Sequence, residues 1–348
     1  MEIWALVMFA VLFMLLLAGF PVAFTLGAVA LGFGSVFLGF DFFNLLPLRI
    51  WGIMTNFTLL AVPLFVFMGV LLEKSNLAQD LLGNMADVMG GFKGSLAISV
   101  IFVGALIAAS TGIVGATVIA MGLISLPIML QRNYDQSLAA GTICATGTLG
   151  QIIPPSIALV ILGDVLSASY QQSQLSIGNF SARTVSVGDL FMGAIVPGLM
   201  LVIAYAAYVI VRANISPSVA PAQEAKVIEN KWKVIITSLV PPFVLITSVL
   251  GSILAGIATP TEAAGVGALG GLLLALSKSS LTKKNLTEAV ETTTEITAMV
   301  FMILLGSSIF SLVFRGFGGD DLITSVFVNL PGGVFSAVLV VMIIIFLL

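Results

Sequence analysis

Long apolar runs restrict what this chain can fold into. Residues Ile3 to Leu38 are apolar almost without interruption, which is more than the roughly 20 residues that cross a bilayer as one helix. Charged residues make up 8% of the chain and hydrophobic residues 59%, whereas soluble domains carry about 25% charged residues. The sequence therefore predicts an all-α polytopic membrane protein.

A stretch at membrane depth, residues 141–156, is poorly suited to remain helical. It contains three glycines, which are weak helix formers, and the pair Pro154-Pro155, which lacks two backbone donors. Non-helical backbone inside a bilayer is tolerated where it is buried in protein or lines a wet cavity. Transporters place ions and substrates at such broken helices, so we predict that this break is one wall of a transport site.

A second break interrupts the apolar run 95–130 at Ser110–Gly115. Lys74, Lys93 and Arg132 flank this run on both sides, and short cytoplasmic loops are rich in basic residues. If all three are cytoplasmic, the run enters and leaves by the same face as a re-entrant hairpin. The same sidedness makes Arg49, Arg183 and Arg315 external and the remaining basic residues cytoplasmic: Arg212, Lys226, Lys231, Lys233, Lys278, Lys283 and Lys284.

The same order of elements occurs twice, which predicts an inverted repeat. The same spacing of 239 residues separates Pro21 from Pro260 and Gly94 from Gly333, and by the sidedness above the two halves have opposite orientations. The first repeat covers 1–212, a cytoplasmic linker covers 213–233, and the second repeat covers 234–348. Within the first repeat we predict scaffold spans in 3–72, an interfacial arm 73–93, the hairpin 95–130, a broken helix 134–169 and a span 189–211.

The other boundaries follow from the apolar runs and the polar segments between them. Individual spans are expected at 3–18, 22–39, 56–72, 234–256, 261–277, 296–314 and 333–348, with a charged amphipathic segment at 278–295. The N-terminus shows no basic region or cleavage site, so no cleaved signal peptide is expected. Because the sequence ends within an apolar run, we expect C-terminal truncation, with the second hairpin tip and second broken helix missing.

Composition excludes several classes of chemistry. There is no His and a single cysteine, Cys144, so imidazole sites, internal disulfides and CxxC motifs are excluded, and Cys144 is expected as a small core residue. Acidic and basic residues number 16 and 13, too small an imbalance to indicate a nucleic-acid partner. Without a GxSxG elbow, a DDxxD motif or paired intramembrane carboxylates, a membrane-embedded enzyme is disfavoured; we predict no enzyme and no cofactor.

Four motifs in order resemble one known family. They are Ser110-Thr-Gly-Ile-Val-Gly-Ala-Thr-Val-Ile-Ala-Met-Gly122, Gly147-Thr-Leu-Gly-Gln-Ile-Ile-Pro-Pro-Ser-Ile157, Val187-Gly-Asp-Leu-Phe191 and Gly256-Ile-Ala-Thr-Pro-Thr-Glu-Ala-Ala264. Over essentially the whole chain the sequence resembles the large, DctM-like membrane subunit of tripartite ATP-independent periplasmic (TRAP) transporters. It departs from that family in a longer insert at 170–186 and in the absent C-terminal portion.

The resemblance implies a fold, a mechanism and partners. The implied fold is an inverted-repeat elevator transporter, similar to the ion-transporter superfamily, with re-entrant hairpins and broken helices. The implied function is sodium-coupled uptake of an organic acid across the bacterial inner membrane, with substrates in the family that include C4-dicarboxylates, sialic acid and keto acids. The implied partners are a small four-span membrane subunit and a periplasmic substrate-binding protein.

The two breaks supply the candidate ligands. Sodium needs several oxygen ligands, and unwound backbone and nearby hydroxyls provide them, so a sodium ion is predicted at Ser110, Thr111, Gly112, Thr146, Gly147, Thr148 and Gly150. A substrate carboxylate is predicted at Pro154, Pro155, Ser156 and Asp164, because helix N-termini favour anions. Asp164 could instead lie at the outer interface, and proton coupling is an alternative to sodium.

Three further alternatives remain open. The small residues at the breaks could serve close helix packing alone, an interpretation that we favour for residues 265–271. Glu262 is expected to cap a helix, and Asp320-Asp321 to form a solvated helix start rather than a metal site. A sodium or proton antiporter of related architecture, without a binding protein, is the alternative function.

Overall fold

The computed structural model describes residues 1–75, 81–85, 89–180, 184–222, 236–278 and 281–347. Within these ranges the regular elements are helices, as the apolar runs predict. The longer helices are α1 (Glu2–Leu17), α2 (Val22–Phe37), α3 (Leu46–Met54), α4 (Ala61–Lys74), α5 (Ser95–Thr111), α6 (Val114–Gln131), α7 (Gln136–Thr148), α8 (Ile157–Ser176), α9 (Val187–Ile215), α10 (Val240–Leu254), α11 (Pro260–Ser277), α12 (Lys283–Gly316), α13 (Gly319–Val328) and α14 (Gly333–Leu347).

Several of these helices are long and apolar enough for a bilayer. By length and composition, α9, α11 and α12 could each cross a membrane, and so could the bent pair Phe40–Met54 and Thr58–Lys74, whose parts meet at 54°. Shorter apolar helices include α1, α2, α5, α10 and α14. The chain is an integral membrane protein, as predicted.

Two elements that were predicted as separate form one continuous helix. The amphipathic segment 278–295 and the span 296–314 were expected as separate elements, but residues of both form one helix, α12, of 34 residues. No glycine or proline occurs between Lys283 and Gly306, so nothing in the backbone ends the helix where its surface changes from charged to apolar.

The first turns of two helices contain the acidic residues that the sequence predicted there. The hydroxyl of Thr259 accepts a hydrogen bond from the Glu262 amide, and the Glu262 carboxylate accepts bonds from the Thr259 amide and hydroxyl at 2.8 Å. This capping box confirms the structural role expected for Glu262. Asp320 and Asp321 lie in the first turn of α13, and Asp320 pairs with Arg315 at 3.2 Å, which confirms the helix-start prediction.

The chain forms two compact units. The first comprises Met1–Asn56 and Ala298–Leu348, and the second comprises Phe57–Thr297. Each unit draws on both of the predicted repeats, so this division does not test the repeat boundaries.

Aromatic rings pack on one another beside the buried core of the first unit. Trp4 and Phe37 have ring centroids 4.0 Å apart, and Phe37 meets Phe317 edge-on at 6.2 Å. Phe317 and Met8 are fully buried. Gly306 lets α12 approach α2, since a Cβ there would lie 2.5 Å from the Ala23 carbonyl oxygen.

The second unit packs through small residues. A Cβ on Gly267 of α11 would lie 2.7 Å from the Met68 sulfur of α4, and one on Gly271 would lie 3.5 Å from the Met68 carbonyl oxygen. This contact confirms close packing as the role of Gly267 and Gly271, whereas Gly265 has open space around it and does not fit that prediction. At the end of α4, the Lys74 ammonium pairs with the Glu288 carboxylate at 2.8 Å.

Some predictions fall outside the described residues. These are Arg183, Lys226, Lys231, Lys233, most of the linker 213–233 and much of the interfacial arm 73–93. Within the arm, the described residues 81–85 are helical, and Leu81 and Leu82 are buried in the core around α5.

Candidate functional site

The predicted hairpin tip is present, but its break covers residues 112 and 113 and is shorter than the predicted Ser110–Gly115, since Ser110 and Thr111 are still helical. Helix α5 ends at Thr111, Gly112 adopts a left-handed conformation with φ +60°, and α6 begins at Val114. The hydroxyls of Thr111 and Thr117 lie 2.6 Å apart and hydrogen-bond across the break. A residue other than glycine at position 112 would be strained at this φ.

The broken helix is also present, but the break is shorter than expected. Helix α7 continues to Thr148, a 3-10 turn covers 149–151, and α8 begins at Ile157 after a cis peptide bond between Pro154 and Pro155. Residues 141–148 were expected to be non-helical, and this was wrong. Close packing overrides the low helix propensity there, because a Cβ on Gly147 would overlap a methyl carbon of Val118.

The two breaks meet. The side-chain amide of Gln151 donates a hydrogen bond of 2.7 Å to the Gly112 carbonyl oxygen. A Cβ on Gly112 would lie 3.3 Å from a side-chain carbon of Ile157, and one on Gly150 would lie 2.9 Å from the Ala108 carbonyl oxygen. We call residues 110–112 together with 150–157 the junction.

Buried hydroxyls line the junction. The Ser110 hydroxyl donates to the Ile107 carbonyl at 2.6 Å, and the Ser156 hydroxyl donates to the Gln151 carbonyl at 2.8 Å. Ser110, Thr111 and Ser156 are 3%, 2% and 0% exposed. A hydroxyl that donates its proton keeps oxygen lone pairs that can accept a hydrogen bond or bind a cation.

Helix ends of opposite polarity face the junction. Helix α5 ends there, and the last four carbonyls of a helix lack intrahelical donors and carry partial negative charge. Helix α8 starts there, with Ser156 as its N-cap, so this end carries partial positive charge. Among the residues that the structure describes, no group of three or more His, Cys, Asp or Glu could hold a metal ion.

Helix α4 packs against the hairpin tip at a single glycine. A Cβ on Gly69 would overlap Thr111 Cα and would lie 2.5 Å from the Ser110 carbonyl oxygen. Both neighbours are backbone atoms, so the two chain segments can be this close only because position 69 has no side chain.

The structure does not bring every predicted site residue into the junction. Thr146 is buried, but its hydroxyl bonds to the Thr142 carbonyl at 2.6 Å and its methyl group packs on Gly104. Gly147 packs on Val118. The Thr148 side chain is exposed, and its hydroxyl donates to the Ala145 carbonyl at 2.8 Å. Pro154 and Pro155 are buried within the junction.

Asp164 lies in a different place. It lines a cavity of about 370 Å³ together with Ser167, Thr184, Ser186 and Pro260. Ser186 is the N-cap of α9 and Pro260 is the first residue of α11. The cavity therefore lies next to the starts of these two helices.

Sequence reasoning missed two residues at the junction and misplaced one cysteine. Gln151 is the only long polar side chain between Gly150 and Pro154, a signal that could have identified it. The sequence around Gly69 gave no indication of its role, because the segment that it contacts, the hairpin tip, belongs to a different element. Cys144 was expected in the core, and this was wrong: its side chain is exposed on α7.

The base of the hairpin is tied to a later segment. The Gly94 amide donates to the Ala220 carbonyl at 3.1 Å, and the Asp135 amide donates to the Val219 carbonyl at 2.9 Å. We call residues 216–222 the strap. The Tyr134 hydroxyl accepts a hydrogen bond from the Leu96 amide at 3.2 Å, so the two ends of the hairpin are held together at its base.

Comparison with known proteins identifies the family. The sequence matches the family described as "Tripartite ATP-independent periplasmic transporter, DctM component" over residues 9–348. It is 28% identical over 312 residues to a C4-dicarboxylate TRAP transporter large permease protein of Rhodobacter capsulatus, covering 89% of this chain and 69% of that protein.

Other relatives differ in the substrate that they are named for. A C4-dicarboxylate large permease protein of Vibrio cholerae is 33% identical over 220 residues, 62% of this chain and 43% of that protein. An ectoine large permease protein of Halomonas elongata is 28% identical over 312 residues, 88% of this chain and 68% of that protein. The matches thus span between 43% and 69% of the lengths of these relatives. This chain belongs to the DctM family of TRAP transporter large permeases, which are transporters rather than enzymes.

Proposed function

We propose that this chain supplies part of the transport site of a sodium-coupled importer of organic acids in the bacterial inner membrane. Substrate arrives from a periplasmic binding protein, a small four-span subunit completes the membrane complex, and the site crosses the membrane by an elevator movement. The observation that carries the proposal is the hydrogen bond from Gln151 to the Gly112 carbonyl, which joins the two breaks.

Sodium binds at the carbonyl end of α5. Ser110 and Thr111 present buried hydroxyl oxygens there, and the helix end adds partial negative charge without a carboxylate. A neutral ligand set suits a monovalent ion that must be released in every cycle, since an intramembrane carboxylate would be costly to leave unpaired.

The substrate carboxylate binds at the amide end of α8. The Ser156 hydroxyl already accepts a bond from the Leu159 amide at 3.4 Å, and the other first-turn amides lack intrahelical acceptors. Pro154 and Pro155 keep the chain from continuing α7 into α8. Gln151 links the two sites, because its side-chain amide donates to the Gly112 carbonyl and its own carbonyl accepts from the Ser156 hydroxyl, so binding at one site orders the residues of the other.

The test uses Gln151→Leu in the complete transporter, reconstituted in vesicles with its small subunit and binding protein. Loss of the bond to Gly112 separates the breaks, and a buried hydrogen bond is worth about 1 kcal/mol, so sodium-stimulated uptake should fall about fivefold to tenfold. Gln131→Leu, at the exposed end of α6, is the matched control and should transport normally.

Three outcomes would overturn parts of this proposal. An unchanged sodium dependence in Gln151→Leu and Ser110→Ala would remove the junction as the sodium site. Uptake that is driven by a pH gradient alone would favour proton coupling, and uptake that continues without the binding protein would favour the antiporter alternative.

A further inference from the structure

A groove of about 590 Å³ lies in the second unit between α5, α7, α9 and the strap. We propose that it binds one phospholipid of the surrounding membrane whose headgroup carries both a phosphate and an ammonium group. This site is separate from transport at the junction.

The walls of the groove are mostly apolar, and they are formed by one face of α7 and one face of α9. Helix α7 contributes Leu138, Thr142 and Ala145, and α9 contributes Ala204, Tyr205 and Val209. The spacing of three or four residues, as between Leu138 and Thr142 or between Tyr205 and Val209, keeps side chains on one side of a helix. Gly141 also lines the groove, and nothing stands within 4 Å of the position that a Cβ would take there. This space between two helices fits an acyl chain.

One end of the groove carries two opposite charges. Arg212 and Asp135 both line it, yet they form no ion pair with each other, and Arg212 forms none with any other described residue. The hydrogen bonds that Asp135 accepts from Ser137 and Leu138 all reach Oδ1, so within the described part of the chain Oδ2 is left for a ligand.

Neighbouring hydrogen-bond donors keep the Asp135 carboxyl group in its charged form. Hydrogen bonds from the Ser137 hydroxyl and from the backbone amides of Leu138 and Ser137 hold the pKa of this carboxyl below its ordinary value. The carboxylate is therefore ionised at neutral pH. A headgroup with a phosphate for Arg212 and an ammonium for Asp135 matches both charges, whereas a purely anionic headgroup meets repulsion from Asp135.

The position of the groove fits the edge of a bilayer. Arg212 is in the last turn of α9, and Tyr205 and Tyr208 line the groove next to it. Tyrosines are enriched where membrane meets water, and arginines near helix ends reach the headgroups. From Arg212 to Ala204 the helix rises about 12 Å at 1.5 Å per residue, so the apolar walls extend into the hydrocarbon region.

The headgroup assignment is tested by native mass spectrometry of the complete purified protein. Phosphatidylethanolamine and phosphatidylglycerol are the probes, added to delipidated protein. The wild type should retain one phosphatidylethanolamine in preference to phosphatidylglycerol. Arg212→Gln should lower retention of both about tenfold. Asp135→Asn keeps a good helix N-cap and should abolish the preference for phosphatidylethanolamine.

Controls separate this site from general lipid binding. Asp189→Asn, at the start of α9 and outside the groove, should retain the wild-type preference. Gly141→Leu should displace the lipid by filling the groove, whereas Gly193→Leu, also at a position with open space, should not. Equal retention in all variants, or the groove filled by protein in a structure of the complete transporter, would overturn the proposal.

Discussion

Both compact units contain close glycine contacts, but the ring contacts found among the described residues all lie in the first unit. In the first unit, rings fill the space between helices, as in the contacts of Phe37 with Trp4 and Phe317. In the second, glycines remove side chains where backbones approach, as at Gly69 and Gly150. Aromatic packing separates helices and fixes them, whereas glycine contacts bring backbone carbonyls and hydroxyls within reach of one another. The polar junction lies in the second unit, among its close glycine contacts.

The largest expected effect tests the aromatic unit. Phe317 is fully buried, so Phe317→Ala should destabilise the protein by about 3–5 kcal/mol, measured by thermal unfolding in detergent. Phe335→Ala, at a side chain that is 77% exposed, should change stability by less than about 0.5 kcal/mol. If both variants unfold alike, the rings do not carry the stability of this unit.

An intermediate effect tests the glycine contacts. Gly69→Ala places a Cβ against the backbone of the hairpin tip and should cost about 1–3 kcal/mol, together with a weaker sodium dependence of uptake. Gly32→Ala in α2 has open space around it and should stabilise its helix by about 0.5–1 kcal/mol. Effects of the same sign in both variants would contradict the close backbone contact at Gly69 as the cause of the difference.

The smallest effect concerns an ion pair at the surface of the second unit. Glu288 lies in the charged first part of α12, before its apolar stretch, and the hydrogen bond and charge of Lys74 hold the pKa of Glu288 below its ordinary value of 4.5. The stabilisation is therefore present above that value and is lost as the pH falls through the lower pKa of the folded state. Thermal unfolding at about pH 7 and about pH 3 should show a smaller pH dependence in Lys74→Met than in the wild type; an equal dependence would show that the pair contributes nothing.

The sequence predicted the breaks better than their contacts. Gly112 and the Pro154-Pro155 pair are local signals, because φ and missing backbone donors act on the chain itself. The end of α7 at Thr148 depends on packing of Gly147 against Val118, and the role of Gly69 depends on the tip of another element. Such contacts are set by tertiary structure, so propensity placed the start of the break several residues too early.

The strap has a consequence for how the chain is assembled during synthesis. The carbonyls of Val219 and Ala220, which accept bonds from both ends of the hairpin, follow Asp135 by about 85 residues. At about 5–20 residues per second, the ribosome delivers them several seconds after the hairpin itself. Until then the base of the hairpin lacks its bonds to the strap and is held by the bond between Leu96 and Tyr134. We expect nascent chains ending before residue 216 to leave this base accessible to water-soluble reagents.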